Sequence, residues 1–207
     1  ALLRQVPRQM SGAVKSLVFG VTDPAQATEA GHLGVDAVIV AVGESHPAGV
    51  PPGRATEIAR ALPPLALRLA YLVGRVDLPH GFSGAITDGQ DERPAGAAIH
   101  VARLSQESAG GRERLPDADA LWIEPRCEGT SSATRFDYAL LERLSRRRPL
   151  LLEIPDGAAG VETAIRLGRP YAVVFGEAVW FRPGIIDIDG LEQALSVVTR
   201  LNKAAVP

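Results

Sequence analysis

Apolar and polar positions along the chain alternate between two periods. Eight short runs are near-continuously apolar: Val14–Phe19, Val35–Val42, Leu65–Val73, Gly84–Thr87, Ala97–Leu104, Ala118–Ile123, Leu150–Ile154 and Tyr171–Phe175. Such runs, bounded by Gly, Pro and Asp, mark strands buried on both faces, as in parallel sheets. Between most of them lie amphipathic stretches of helical period: Ala25–Leu33, Arg54–Leu62, Ser105–Leu115, Asp137–Arg147, Gly160–Leu167 and Leu191–Lys203. Thr22-Asp23-Pro24 is a helix start, with a capping side chain ahead of a proline near the first turn.

One connection breaks the alternation. Only residues 74–82, interrupted by Gly74, Pro79 and Gly81, separate the third and fourth runs. A β–α–β crossover needs about a dozen residues or more, so the helix after strand 3 is missing or reduced to a turn. Eight strands alternating with short helices over 207 residues predict an α/β fold, a small (β/α)8 TIM barrel. The competing open doubly wound sheet would favour a Gly-rich phosphate turn after the first strand, and Gly20-Val21-Thr22-Asp23 is not one. Residues 1–12 read as an N-terminal arm and 13–207 as a single barrel domain.

Composition narrows the function classes. Hydrophobic residues make up 46% and charged residues 22%, ordinary for a globular protein. A net charge of −2 offers no electrostatic reason to expect nucleic acid or an anionic membrane as partner. No apolar run approaches the roughly 20 residues that span a bilayer, and nothing at the start reads as a signal peptide. The single cysteine, Cys127, allows no intrachain disulfide, so a cytoplasmic setting is expected. His32, His80 and His100 lack metal-ligand spacing, so no metal is expected, and no cofactor motif is visible.

The pattern resembles the phosphoribosylanthranilate isomerase family, over most of residues 13–202. The resemblance rests on Phe19-Gly20-Val21-Thr22-Asp23-Pro24, Ala30-Gly31, Gly34-Val35-Asp36-Ala37 and Ala55-Thr56-Glu57-Ile58-Ala59. It continues through Phe136-Asp137-Tyr138, Arg169-Pro170-Tyr171-Ala172-Val173 and Pro183-Gly184 with Asp187. It implies a barrel enzyme that performs an Amadori rearrangement on a phosphorylated sugar, but the residues that matter for that chemistry depart from the family pattern. Phe19 stands where the family has a catalytic cysteine, and Glu124 where it has an acidic aspartate. His46-Pro47-Ala48 replaces Ser-Pro-Arg, and Asp88-Gly89-Gln90-Asp91-Glu92 replaces His-Gly-Asp-Glu. Ile154-Pro155 replaces the Gly-Gly pair that cradles phosphate, and Val174-Phe175-Gly176-Glu177-Ala178 replaces Asp-Val-Ser-Ser-Gly. Phosphate recognition needs close-approach glycines and free backbone N–H groups. Pro155 removes one N–H, and Glu153, Asp156 and Glu177 add negative charge to the same region.

The candidate chemistry lies at strand ends. Glu124 closes the sixth strand on the face shared by Ala120 and Trp122, and an apolar mouth around a carboxyl suits general acid or base work. Its bland alternative is an ion pair with a loop arginine such as Arg126 or Arg135. Asp88 could be a second carboxylate across the mouth, or a turn residue before Gly89. Glu153, at the end of the seventh strand, must find a partner or face the mouth. Phe19, Trp122, Trp180 and Phe181 are candidate walls or lid, unless Trp180 and Phe181 are plain core packing. Arg126 and Arg182 could bind a carboxylate, and His46 could shuttle protons from its loop.

Three functions follow. The first is a repurposed, cofactor-independent enzyme of specialised biosynthesis that uses acid/base chemistry for isomerisation, cyclisation or elimination of a non-phosphorylated, largely apolar small molecule. The second is a genuine isomerase of tryptophan biosynthesis with an altered site. The third is a non-catalytic barrel serving as a binding or interaction module, with a plugged mouth and an apolar surface where the third helix is missing. A second copy of the chain could cover that gap, giving a homodimer.

Overall fold

The computed structural model describes residues 12–74, 77–89, 92–127 and 134–205. The residue 1–11 part of the expected arm, the Gln90-Asp91 pair and the side chains of Arg126 and Cys127 lie outside the described residues.

Eight parallel strands close on themselves: β1 Lys15–Phe19, β2 Ala37–Val42, β3 Leu67–Leu72, β4 Gly84–Asp88, β5 Ile99–Ser105, β6 Ala120–Glu124, β7 Leu150–Ile154 and β8 Ala172–Phe175. Each pairs with its sequence neighbour, and β1 pairs with both β2 and β8, which closes the barrel. Helices α1 Pro24–His32, α2 Pro52–Ala61, α3 Gln106–Gly110, α4 Tyr138–Ser145, α5 Ala158–Gly168 and α6 Ile188–Ala204 surround it. This is the expected (β/α)8 fold, in reduced form.

Aspartates start three of the helices as their sequence positions suggest. Asp23, Asp137 and Asp187 accept hydrogen bonds from the backbone N–H groups of Ala25, Leu140 and Gly190 at 2.8, 3.0 and 3.1 Å. Asp36, between α1 and β2, accepts from Ser16 N at 2.9 Å and pairs with Lys15, tying β1 to the start of β2.

Among the described residues no helix lies between β3 and β4, as expected, and none lies between β4 and β5 either. The second gap was not anticipated. The outer face of the sheet is nevertheless covered there: Ala70, Leu72 and Ala85 are buried, and Phe82 and Leu78 pack in the same cluster. Two arginines hold neighbouring chain in place of helical turns. Arg68 donates to the carbonyls of Ala59, Leu62 and Pro63, and Arg93 donates to Ala98 O at 3.0 Å and to Asp119 at 2.6 Å.

The interior is a separate apolar cluster of Leu17, Phe19, Ile39, Leu69, Tyr71, Ile86, Val101, Trp122, Leu151 and Val174. Strand alternation accounts for it, because residues two apart share a face. Trp122 is fully buried, a gross hydrophobic contribution of about 5 kcal/mol. The carboxyl ends of β3 to β7 carry this interior face upward into charged and aromatic side chains.

Candidate active site

The mouth is organised around Arg103, which the reading of the sequence did not single out. It lies on β5 on the same face as Ile99 and Val101, in register with Asp88 of β4 and Trp122 of β6. Its Nη2 donates to Glu124 Oε1 at 2.5 Å, and its Nη1 donates to the Tyr71 hydroxyl at 3.0 Å. The same Nη2 lies 3.9 Å from Glu153 Oε2. Aromatic faces enclose the cation: the guanidinium carbon is 4.9 Å from the ring centres of both Tyr71 and Trp122, and 5.9 Å from that of Phe19. Burial works to lower the Arg103 pKa, but the charges of Glu124 and Glu153 outweigh it and the net shift is upward.

The three carboxylates are held differently. Glu124 binds Arg103; the side chains of Arg126 and Arg135, considered as its alternative partners, lie outside the described residues. Asp88 accepts the Tyr71 O–H, with both carboxylate oxygens 2.9 Å from it. Glu153 receives the Trp122 indole N–H at 3.1 Å, with its side chain only 15% exposed. Burial above all, helped by the charges of Glu124 and Glu177, pushes the Glu153 carboxyl up to about 7 against the opposing pull of Arg103 and the Trp122 hydrogen bond. The group lies close against Gly176, where an added Cβ would come within 2.9 Å of Oε1.

Aromatic packing completes the mouth. Phe19, 2% exposed, meets His46, Tyr71 and Trp122 edge-on at ring distances of 5.3, 5.9 and 5.2 Å. Trp180 lies over Phe19 at 5.8 Å and donates its indole N–H to Phe19 O at 2.8 Å. Gly20 makes room for it: a Cβ there would sit 2.0 Å from the indole. His46 Nδ1 accepts from Ala48 N at 3.1 Å, which places the proton of the neutral ring on Nε2. Burial and the Arg103 charge lower its pKa. Burial also raises that of Tyr71.

Thus Phe19, His46, Asp88, Trp122, Glu124, Glu153 and Trp180 converge on one mouth. Phe181 and Arg182 do not join them: both sit on the hairpin formed by Trp180–Arg182 and Ile185–Ile186, with Phe181 75% exposed and Arg182 exposed. Arg126 contributes a backbone strand, and its side chain is outside the described residues. Tyr71 and Arg103 were missed. The available signal was the alternation Leu67, Leu69, Tyr71 and Ile99, Val101, Arg103, each ending in a polar group near the carboxyl end of its strand. Among the described residues no group of three or more His, Cys, Asp or Glu is placed to hold a metal ion, and no helix is long and apolar enough to cross a membrane.

Comparison with known proteins places this barrel. The chain is similar to N-(5′-phosphoribosyl)anthranilate isomerases. It is 27% identical to the isomerase of Neisseria meningitidis serogroup A over 207 residues, covering 92% of this chain and 99% of the relative. It is also 27% identical to that of Acidithiobacillus ferrooxidans, covering 89% and 97%. The crystal structure of the Thermotoga maritima isomerase superposes with a TM-score of 0.72 at 20% identity, over 90% of this chain and 99% of the other. No protein-family model matches the chain.

Proposed function

We propose that this mouth is the active site of an isomerase-like barrel that performs cofactor-independent acid/base chemistry, an isomerisation, cyclisation or elimination, on a non-phosphorylated, largely apolar small molecule. The observation that carries the reading is the convergence of Glu124 and Glu153 on Arg103, with Asp88 joined to it through Tyr71, inside an aromatic wall. All four groups stand at the carboxyl ends of strands, the face on which barrel enzymes build their sites. Carboxylates in unequal environments can divide proton donation and abstraction.

A dianionic substrate is disfavoured on electrostatic grounds. Glu153 and Glu177 flank the ends of β7 and β8, and Pro155 offers no N–H. A like-charge contact costs on the order of a few kcal/mol at intermediate dielectric. The departures from the family pattern at Phe19, His46-Pro47-Ala48 and Ile154-Pro155 support the same view.

The test has two parts. Purified protein incubated with N-(5′-phosphoribosyl)anthranilate is expected to leave it unchanged, and conversion would overturn the proposal in favour of a genuine isomerase. Uncharged and cationic small molecules that raise the melting temperature are then followed in heavy water. Deuterium exchange into a bound ligand, lost in a Glu153→Gln, Glu124→Gln double variant, is the expected result. A second reading, a non-catalytic binding barrel, is favoured by the depth at which Phe19 and Trp122 fill the mouth, at 2% and 0% exposure. Ligands that bind without any exchange or turnover would support it.

A further inference from the structure

Glu124 and Glu153 stand on adjacent strands and share one cation, yet the cation does not serve them equally. Arg103 Nη2 makes its hydrogen bond to Glu124 and stays 3.9 Å from Glu153. The other amino group is spent on Tyr71, whose own proton goes to Asp88. Asp88 and Glu124 are therefore each tied by a hydrogen bond within a connected chain, Asp88–Tyr71–Arg103–Glu124. Glu153 is outside that chain. Among the described residues its hydrogen bond is to the Trp122 indole, a neutral donor.

We propose that Glu153, not Glu124, is the proton carrier of this site, and that Arg103 and Tyr71 are positioning residues that reserve it for that role by engaging the other two carboxylates. This rests on the acid/base reading above and names which group performs it. As acid, Glu153 breaks its O–H bond, passes the proton to the substrate atom and becomes a carboxylate within the field of Arg103. As base it takes the proton back on the same oxygen, so the cycle needs no further reactant. Glu124 keeps its hydrogen bond to Arg103 and holds the guanidinium in place.

The groups facing Glu153 agree with this division. From β5 comes the Arg103 cation, from β6 Glu124 and the Trp122 N–H, and from the turn after β8 Glu177. Two like charges and burial oppose a single cation beyond hydrogen-bond reach, and the carboxyl titrates near neutrality as a result. A general acid or base works best when its pKa lies close to the working pH.

The experiment needs no substrate. Infrared difference spectra of the carboxyl region and tryptophan fluorescence, which reports on Trp122, are followed in the full chain between about pH 5.5 and 8.5. The expected result is a one-proton transition near the middle of that window, absent in Glu153→Gln. In Glu124→Gln it is retained with its midpoint moved down by about half a pH unit or more, because a like charge is removed and Arg103 is freed. A transition that survives Glu153→Gln but disappears in Glu124→Gln overturns the proposal, as does the absence of any carboxyl transition in the wild type. Should Glu153→Gln fail to fold, Trp122→Phe, followed by the infrared spectra alone, keeps an aromatic ring and removes the indole N–H that favours the Glu153 carboxylate. Its midpoint is expected to move up, and an unmoved midpoint overturns the proposal. Failure here leaves acid/base chemistry through Glu124 open, whereas loss of the enzymatic reading would leave the titration of Glu153 intact.

Discussion

Replacing Arg103 by methionine removes the cation and keeps much of the side-chain volume between the rings of Tyr71 and Trp122. Three interactions go with it: the 2.5 Å bond to Glu124, the 3.0 Å bond to Tyr71, and the cation's position 4.9 Å over two aromatic faces. Breaking a buried ion pair from one side costs about 3–5 kcal/mol. Glu124 is 34% exposed, so solvent screens part of its loss. Cation–π contacts of this kind add about 1 kcal/mol, and the expected destabilisation at pH 8 is about 3 kcal/mol. For a domain of this size that lowers the melting temperature by about 6–12 °C.

The loss should depend on pH in one direction. Arg103 lowers the Glu153 pKa, so its removal lets that pKa rise above about 7. A carboxyl with a raised pKa in the fold stays protonated there while the unfolded chain ionises above about 4.5, so stability falls as pH rises between the two values. Arg103→Met should therefore be more damaging at pH 8 than at pH 6. Urea unfolding of the wild type and the variant at both values measures it. A loss below about 1 kcal/mol at pH 8, or one no larger at pH 8 than at pH 6, would refute the reasoning.

Two further outcomes follow from the packing. Gly20→Ala combines a φ of +89° with a Cβ 2.0 Å from the Trp180 indole, so it should cost about 2–4 kcal/mol in unfolding free energy and loosen Trp180, seen as a change in its fluorescence. His100 is fully buried, with its Nε2 2.9 Å from the Thr87 hydroxyl, and burial lowers its pKa from 6.5. Its stabilising contribution is present above the unfolded value of 6.5 and is lost as pH falls toward the folded one. Thermal melts at pH 7.5 and 5 should show a steeper decline for the wild type than for His100→Gln, and equal declines would count against it.

What could be read directly from the residues was local. The aspartate before each of α1, α4 and α6, the apolar runs of β1 to β8 and the broken stretch after β3 all act over a few neighbouring positions, and the fold followed from them. The second missing helix, between β4 and β5, escaped notice because loop length alone does not say whether a helix forms. There Arg93 bonds to Ala98 and Asp119 in place of helical turns.

The site was legible in part. Phe19, Asp88 and Glu124 end strands, Glu153 stands one residue from an end and Trp122 shares the face of Glu124, and a strand end in a barrel points to the mouth. Tyr71 and Arg103 follow the same rule. In a strand apolar on both faces, however, alternation does not tell the interior from the helix side, and one arginine among many carries little signal.

Which carboxylate meets the cation was decided only by the closed barrel. Arg103 and Glu124 are 21 residues apart in the chain, and Trp122 and Glu153 are 31 apart. Their separations in space depend on strand register and on the curvature of the sheet. Periodicity in the sequence determines which residues share a face. The ångström differences that give Glu124 a hydrogen bond to Arg103 and leave Glu153 beyond reach arise only when five strands converge on one axis.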